Sequence, residues 1–285
     1  MLKLFYISQS IRYHVGLALI IALNCKAQTL FRKNITLVST QPLLKLREDL
    51  LTRVAKTGFS FCPSAAMQAW LLAQSAEALS DLHQFADSWN EMPLDEHMAD
   101  GGRYRRRRYA VLKAQSSTSE IVLEPHQPHY QSLDYNTLNG GVARDFEAIK
   151  ASIIHSHSMQ SVLKFCQTVF SALMPNTPWH IECHQFRIEA NDKSLGKPTP
   201  EGVHRDGVEF VLVMMVKRQN ISSGTTTMHD LEHKNLDSFT LTEPLDVAIV
   251  NDRRCMHGVT PIVPIDPTQP AYRDVLVVTF KKHQQ

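Results

Sequence analysis

The sequence predicts an α+β fold, with helices laid on one face of an antiparallel sheet pair that closes as a jelly roll. Three observations lead there. The longest apolar patterns before Leu173 repeat every three to four residues, the helical period. From Trp179 onward the period falls to two, the signature of half-buried strands. At least six strand-length segments then follow, parted by Asn191-Asp192, Ser222-Ser-Gly224 and Pro264–Pro270. A jelly roll is the natural closure because it shields most strand edges. With 285 residues, 43% of them apolar and 20% charged, the chain has ample material for a core.

The elements justify themselves in order. Residues 1–34 form an apolar extension, with Lys3 and Arg12 ahead of the nine-residue run Val15–Leu23. A membrane-spanning helix needs about 20 such residues, so no stable span is expected. Three readings stand for this extension: an export signal, an extra helix, or a segment upstream of the true start. The functional reading therefore begins with a single domain over residues 35–285. Ile35–Ser39 reads as extended and Leu43–Lys56 as helical. Pro63 opens a second helix, being tolerated in a first turn where its missing N–H is not needed. The stripe of that helix is Met67, Leu71, Leu72, Ala76, Leu79 and Leu82. Tyr109–Leu112 and Glu120–Leu123 read as strands around a polar turn at Gln115–Ser119. Glu147–Leu173 is the strongest helix, striped by Ile149, Ile153, Met159, Val162, Cys166 and Val169, and stopped by Pro175. The later strands are His180–Glu189, Val208–Lys217, Thr225–His229, Ser238–Leu241, Asp246–Asn251 and Asp274–Phe280.

Composition excludes several functions. Thirty basic residues against 28 acidic ones leave a formal charge of +2, too balanced for a dedicated nucleic-acid binder. The five cysteines, at 25, 62, 166, 183 and 255, form no C-x-x-C pair and leave an odd thiol. That argues against a disulfide framework or zinc knuckle and for a reducing cytoplasm. Fourteen histidines, by contrast, point toward metal chemistry.

His204-Arg-Asp206 sets an imidazole and a carboxylate two residues apart, on one face at a strand end. Chance alone supplies one or two His-x-Asp/Glu pairs in this composition, and two occur, so context must decide. His204 follows the Pro-rich loop Gly196–Gly202, and Asp206 precedes the most apolar strand of the chain. His257 follows the strand at Asp246–Asn251 and the turn Asp252–Cys255. Arg273, alone on its strand, comes 16 residues after His257. Two histidines and one carboxylate on one side of an ion leave open positions, as in non-haem Fe(II) oxygenases.

The segments Gly196-Lys-Pro-Thr-Pro-Glu-Gly-Val-His-Arg-Asp-Gly207, Asn251-Asp-Arg-Arg-Cys-Met-His257 with Val259-Thr-Pro261, and Tyr272–Phe280 resemble a known family. It is the bacterial 2-oxoglutarate/Fe(II) dioxygenases that hydroxylate free amino acids, of the isoleucine 4-dioxygenase type. Weaker likenesses lie at Tyr104–Tyr109, Gln131-Ser132, Asn139–Gly141 with Arg144, and His184–Arg187, and the whole covers roughly residues 37–282. The resemblance implies a double-stranded β-helix, cupin-like, with iron held by His204, Asp206 and His257 and 2-oxoglutarate gripped by Arg273. The donor chemistry agrees. The three ligands leave Fe(II) three positions, two for the keto acid of 2-oxoglutarate and one for O₂. Arg offers the distal carboxylate a planar fork that Lys cannot.

A free amino acid would be the prime substrate, aliphatic by the resemblance. As a zwitterion it needs a cation and an acceptor, for which the strands offer Arg106 or Arg187 and Glu124 or Glu182. No nucleic-acid partner is expected, and no oligomeric state is specified. The alternative is a catalytically silent metal-binding β-helix with a stress-response or regulatory role, which a missing ligand or a missing Arg273 would mark.

Several motifs have plainer readings. His229-Asp-Leu-Glu-His233 fits an inverted zinc-protease pattern, but that chemistry needs a helix, and this segment reads as a strand running into a turn. Of Arg103 and Arg105–Arg108, one or two are expected to meet acidic groups and the rest to be solvated. His126, His129, His155 and His157 read as loop, surface or core-edge residues. His184 reads as a satisfied core histidine that could also line the barrel, and Cys183 and Cys255 as packing residues.

Overall fold

Among the described residues there are twelve β-strands and a handful of helices, the eight expected strands and four short ones that the periodicities did not show. The protein is described by a computed structural model for residues 44–115 and 120–283. The extension over 1–34, the extended piece Ile35–Ser39 and most of the turn Gln115–Ser119 lie outside the described residues. By its contacts the chain divides into two units, Met1–Glu48 and Asp49–Gln285. Helical residues run from 44 to 57 (α1), and everything below concerns the second unit.

The helices are α2 (Ser64–Gln74), α3 (Leu82–Asp87), α4 (Ala151–Ile154) and α5 (His157–Leu173), with a 3₁₀ turn at Ser88–Glu91. The expected single helix over Glu147–Leu173 starts only at Ala151, after a non-helical stretch over 147–150, and is broken at Ser156. There the Ser156 hydroxyl accepts from Met159 N–H, and the Asp81 carboxylate accepts from the N–H groups of His157 and Ser158. An N-cap this well satisfied starts a new helix rather than extending the old one.

The strands are β1 (Phe59–Cys62), β2 (Arg105–Ala114), β3 (Ile121–Leu123), β4 (Trp179–Ala190), β5 (Phe210–Gln219), β6 (Ile221–Ser223), β7 (Thr226–His229), β8 (Asn235–Phe239), β9 (Val247–Asn251), β10 (Met256–Val259), β11 (Ile262–Pro264) and β12 (Ala271–Lys282). All six expected late strands exist, with bounds shifted by a few residues. The major sheet has the order β1-β9-β5-β12-β4-β2-β3, and the smaller ones are β10-β7-β8 and β11-β6. Every pairing is antiparallel. This is the jelly roll, the double-stranded β-helix.

Register makes the two faces of the major sheet different. Across β2, β4 and β12 one face carries the rows Arg105–Ile188–Arg273, Arg107–Phe186–Val275, Tyr109–His184–Val277 and Val111–Glu182–Thr279. The other carries Arg106–Arg187–Asp274, Arg108–Gln185–Leu276, Ala110–Cys183–Val278 and Leu112–Ile181–Phe280. The second face receives the helices. Phe170 of α5 stacks on Phe210 (centroids 4.8 Å apart, planes at 4°) and meets Phe280 edge-on at 4.9 Å. The first face turns toward β7 and β8. Met228 and Phe239 pack there with Val211, Val213, Val250 and Val277.

Toward its polar end the helix-side face holds a buried ion pair. Arg187 donates twice to the Asp274 carboxylate, from Nε and Nη2 at 2.7 Å each, and Nη2 also donates to Asn90 Oδ1 at 2.9 Å. Asp274→Ala should strand the Arg187 charge and cost about 3–5 kcal/mol of stability, read as a lower urea midpoint. The rows of the opposite face are untouched, so the change should be one of stability alone.

Candidate active site

His204 and Asp206 sit in the loop entering β5, and His257 lies on β10. A lone antiparallel bridge, His204 N–H to His257 O and His257 N–H to His204 O at 2.9 Å each, fixes the two histidine backbones together. Their rings lie 4.6 Å apart. His204 Nε2 is 3.5 Å from Asp206 Oδ1, and His257 Nε2 is 3.8 Å from Asp206 Oδ2. Donors about 2.1 Å from one first-row ion stand about 3–3.4 Å apart, so this spacing fits a shared cation with slight contraction. His204 Nδ1 faces Gly202 O at 3.1 Å, which puts its proton there and frees the Nε2 lone pair for a metal.

Asp206 is held by a residue not singled out from the sequence. The Asp252 carboxylate, 1% exposed, accepts from the N–H groups of Asp206, Gly207 and Val208 at 2.9, 2.8 and 3.1 Å. Gly207 makes this possible: its φ is +80°, and a Cβ there would run into the Tyr135 ring. Gln131 Nε2 donates to Asp206 O at 3.1 Å.

The electrostatics call for a cation. Burial, and then the neighbouring Asp206, push the Asp252 carboxyl up to about 7 despite its three donors. Asp206 is held below the carboxylate range, where hydrogen bonding to His204 and the charges of both histidines outweigh burial. Burial lowers His204, but Asp206 and Glu201 outweigh it and hold that imidazole at about 9. Burial and the His204 charge bring His257 down to about 4. A divalent ion would displace the His204 proton and neutralise the crowded carboxylates.

These residues open onto a cavity of about 900 Å³, counted out to its mouth. Arg273 lines it from β12, 2% exposed, with Nε and Nη2 bonded to nothing among the described residues. Burial, reinforced by Arg218, brings its pKa down to about 10, still charged at neutral pH. A buried guanidinium without a counter-ion is costly, and a dicarboxylic co-substrate answers that cost.

The other expected substrate residues divide. Glu182 lines the cavity, but Arg106, Arg187 and Glu124 do not. Arg106 and Arg187 fall on the helix-side face, because even and odd positions of β2 and β4 point opposite ways. There Arg106 donates to Glu189 Oε1 at 2.7 Å and Arg187 is spent on Asp274. Glu124 lies beyond β3 and pairs with Lys113 at 2.6 Å. Besides Arg273, the guanidinium groups that do reach the cavity are Arg105, Arg107 and Arg144. Strand alternation at Arg105–Arg108 was the available signal; Arg144, Glu201 and Asp252 sit in loops, which have no period to read.

Glu182 is well served. Tyr109 O–H donates to it at 2.7 Å, and His129 Nδ1, His180 Nε2 and His184 Nε2 lie 3.3, 3.5 and 3.6 Å away. His129, Glu182 and His184 thus converge as a second potential ligand group. Arg107 Nη2, which can only donate, lies 2.8 Å from His184 Nδ1, so the His184 proton is on Nε2, toward Glu182. In this group Arg107 occupies one nitrogen of His184 and the Tyr109 hydroxyl one oxygen of Glu182, so it is less open to an ion than the first group. His184 is therefore both satisfied and barrel-lining. His229 lies on β7 and His233 in a left-handed turn (φ +66°), so no helix joins them as a zinc site would need. Of the arginine run, Arg105, Arg107 and Arg108 are buried and Arg106 half-buried, against the expectation that most would be solvated; Arg103 is exposed.

Comparison with known proteins agrees with this geometry. The chain is 34% identical to a bsmA homologue from Methylobium petroleophilum, whose crystal structure superposes with a TM-score of 0.74 over 83% of this chain and 93% of that one. It is 23% identical over 244 residues to 3(1)-hydroxy-L-isoleucine 4-dioxygenase of Pantoea ananatis, covering 83% of this chain and 97% of that protein. It is 26% identical over 184 residues to L-isoleucine-4-hydroxylase of Bacillus thuringiensis, covering 63% and 75%. The sequence pattern of the 2OG-Fe dioxygenases matches residues 86–279. The chain belongs to the 2OG-Fe dioxygenase family, enzymes that work with Fe(II), 2-oxoglutarate and O₂.

Proposed function

We propose that the protein hydroxylates a C–H bond of a free aliphatic L-amino acid, holding Fe(II) through His204, Asp206 and His257 and the distal carboxylate of 2-oxoglutarate through Arg273. The observation that carries this reading is the unpartnered Arg273 guanidinium in the same cavity as the three converging donors. When bound, Fe(II), 2-oxoglutarate and O₂ supply the oxidant, and 2-oxoglutarate leaves as succinate and CO₂. The chain's own work is to position and to exclude. Gly202 O sets the His204 tautomer, Asp252 holds the Asp206 backbone, and Val208, Val213, Val259, Val275 and Val277 line an apolar wall for an aliphatic side chain. The amino-acid substrate is supported by the isoleucine-acting relatives. The silent β-helix alternative would need a ligand or Arg273 to be missing, and all four residues are in place.

The reading places the dioxygenase domain within residues 35–285 and the protein in the cytoplasm. Buried free thiols at Cys62, Cys166, Cys183 and Cys255 suit a reducing compartment. Among the described residues no helix is long and apolar enough to cross a membrane.

Anaerobic addition of Fe(II) and 2-oxoglutarate should produce a metal-to-ligand charge-transfer band, absent in Asp206→Ala. Arg273→Ala should raise the 2-oxoglutarate concentration for half-formation of that band by about 30-fold to 5,000-fold. An unchanged value would put the co-substrate carboxylate elsewhere. Aerobic incubation with the twenty amino acids and ascorbate should give one or a few products heavier by one oxygen in mass spectrometry. Asp252→Ala leaves every ligand in place but loosens Asp206, so Fe(II) affinity should fall about tenfold to a hundredfold in an anaerobic titration. Equal affinity would reduce Asp252 to a loop-packing role.

A further inference from the structure

Three more guanidiniums are buried in the cavity wall. Arg105, Arg107 and Arg144 are 6%, 4% and 2% exposed, and Arg105 Nη2, Arg107 Nε and Arg144 Nε have no hydrogen-bond partner. Among the described residues their ion pairs come down to one, Arg105 Nε with Asp95 Oδ2 at 2.6 Å. Arg107 is clamped between aromatic rings, 3.8 Å from the Phe146 centroid and 4.7 Å from that of Phe186. Among the described residues its hydrogen bond goes to a neutral acceptor, His184 Nδ1. Packing fixes the fork, but among the described residues no carboxylate fills it. Glu182, the nearby candidate, already takes the Tyr109 hydroxyl and faces three imidazoles.

The cavity also holds an unmatched anion. Glu201, its side chain 9% exposed, has Oε2 buried without a partner, and Oε1 lies 3.4 Å from His204 Nε2. A metal on His204 would take that nitrogen's lone pair and leave Glu201 with no donor at all. Glu201 and Arg144 lie close enough to act on one another electrostatically. One region of the cavity thus offers surplus donors and a bare carboxylate, the complement of a zwitterion.

We infer that Arg144, with Arg105 and Arg107, seats the α-carboxylate of the prime substrate and that Glu201 receives its ammonium group. This rests on the amino-acid reading above and adds to it the residues that select the substrate. The seat is separate from that of 2-oxoglutarate: Arg105 and Arg273 occupy one row of the sheet with Ile188 between them. Two carboxylates can therefore enter one cavity and bind in different places. A free amino acid would be chosen over a peptide-linked residue, whose amides carry neither charge.

The test uses the amino acid turned over fastest among the twenty, its carboxamide and its 2-hydroxy analogue. The unmodified enzyme should favour the free amino acid over both analogues by about 30-fold or more in kcat/KM, since each leaves one buried charge unpaired. Arg144→Gln should raise KM for the amino acid by a similar factor and shrink its advantage over the carboxamide to a few-fold. Arg144→Lys should restore part of it. Glu201→Gln should erode discrimination against the 2-hydroxy analogue instead. In both Gln variants the 2-oxoglutarate half-saturation of the charge-transfer band should stay within about twofold, whereas a rise in Arg144→Gln would give this cluster to the co-substrate and overturn the proposal. So would unchanged KM and discrimination in folded variants, or loss of the iron band in Glu201→Gln, which would make Glu201 a ligand. If the Arg144 variants do not fold, equal use of free acid and carboxamide by the unmodified enzyme is enough to overturn it. Failure of the amino-acid reading is distinct: no amino acid gains oxygen although the charge-transfer band forms.

Discussion

A β-strand shows only every second side chain to one face, and the division of labour in this chain rests on that alternation. β2 and β4 are polar and apolar at once. Arg105, Arg107 and Tyr109 turn inward beside Ile188, Phe186 and His184, while Ala110 and Leu112 turn outward beside Cys183 and Ile181. A slip of one residue in the β2–β4 register would bury Arg106 and Arg108 in the cavity and press Arg107 and Tyr109 against the helices. The outer rows oppose that slip, because Ala110 and Leu112 of β2 are buried beside Cys183 and Ile181 on the helix-side face. Packing on one face thus sets the chemistry on the other.

The cavity wall is unusual in the charge it keeps dry. Four guanidiniums line it (Arg105, Arg107, Arg144 and Arg273), and one of them has a salt bridge among the described residues. Desolvation presses down on Arg107, Arg144 and Arg273 alike, yet arginine does not give up its proton in the physiological range. The cost is met in part by aromatic faces, Phe146 and Phe186 around Arg107. The remainder persists until anions arrive. A site so arranged is unstable when empty in a way that favours its ligands, since each carboxylate that binds removes a penalty the fold already carries. The same logic holds for Asp206 and Asp252, two neighbouring carboxylates, one half-buried and one buried, that a cation would relieve.

How much of this was legible in the sequence depended on periodicity. The switch from a 3.6-residue to a two-residue repeat after Leu173 located β4, β5, β7, β8, β9 and β12, because half-buried strands cannot hide their alternation. The triad was readable from local context: a Pro-rich loop before His204, a glycine after Asp206, a turn before His257. The arginines were harder. Arg106 and Arg187 are as strand-borne as Arg105 and Arg107, and only the register across β2, β4 and β12 decides which pair faces the cavity. Arg187 moreover has its partner, Asp274, 87 residues away. Arg144, Glu201 and Asp252 lie in irregular segments whose positions come from long-range bonds, such as the Arg144–His129 bridge. The break at Ser156 was missed because a cap depends on Asp81, 75 residues earlier, as much as on the serine.

The placement of each binding group also follows the tolerance its chemistry allows. Arg273 stands in the interior of the longest ladder, bonded on both sides by β4 and β5, so its Cα cannot drift. His204 and Asp206 precede β5 in a loop, where a strand ladder cannot hold them. Their precision comes instead from the bridge to His257 and from the three N–H groups gathered by Asp252. That substitution of one carboxylate for a missing ladder lets the ligand loop turn sharply through Gly207 and still present Asp206 to His204 and His257. A loop with an ordinary residue at 207 would clash with Tyr135 and could not make the turn. The three residues of the proposed metal seat are thus tied to the sheet by backbone hydrogen bonds, although His257 alone of the three belongs to a strand.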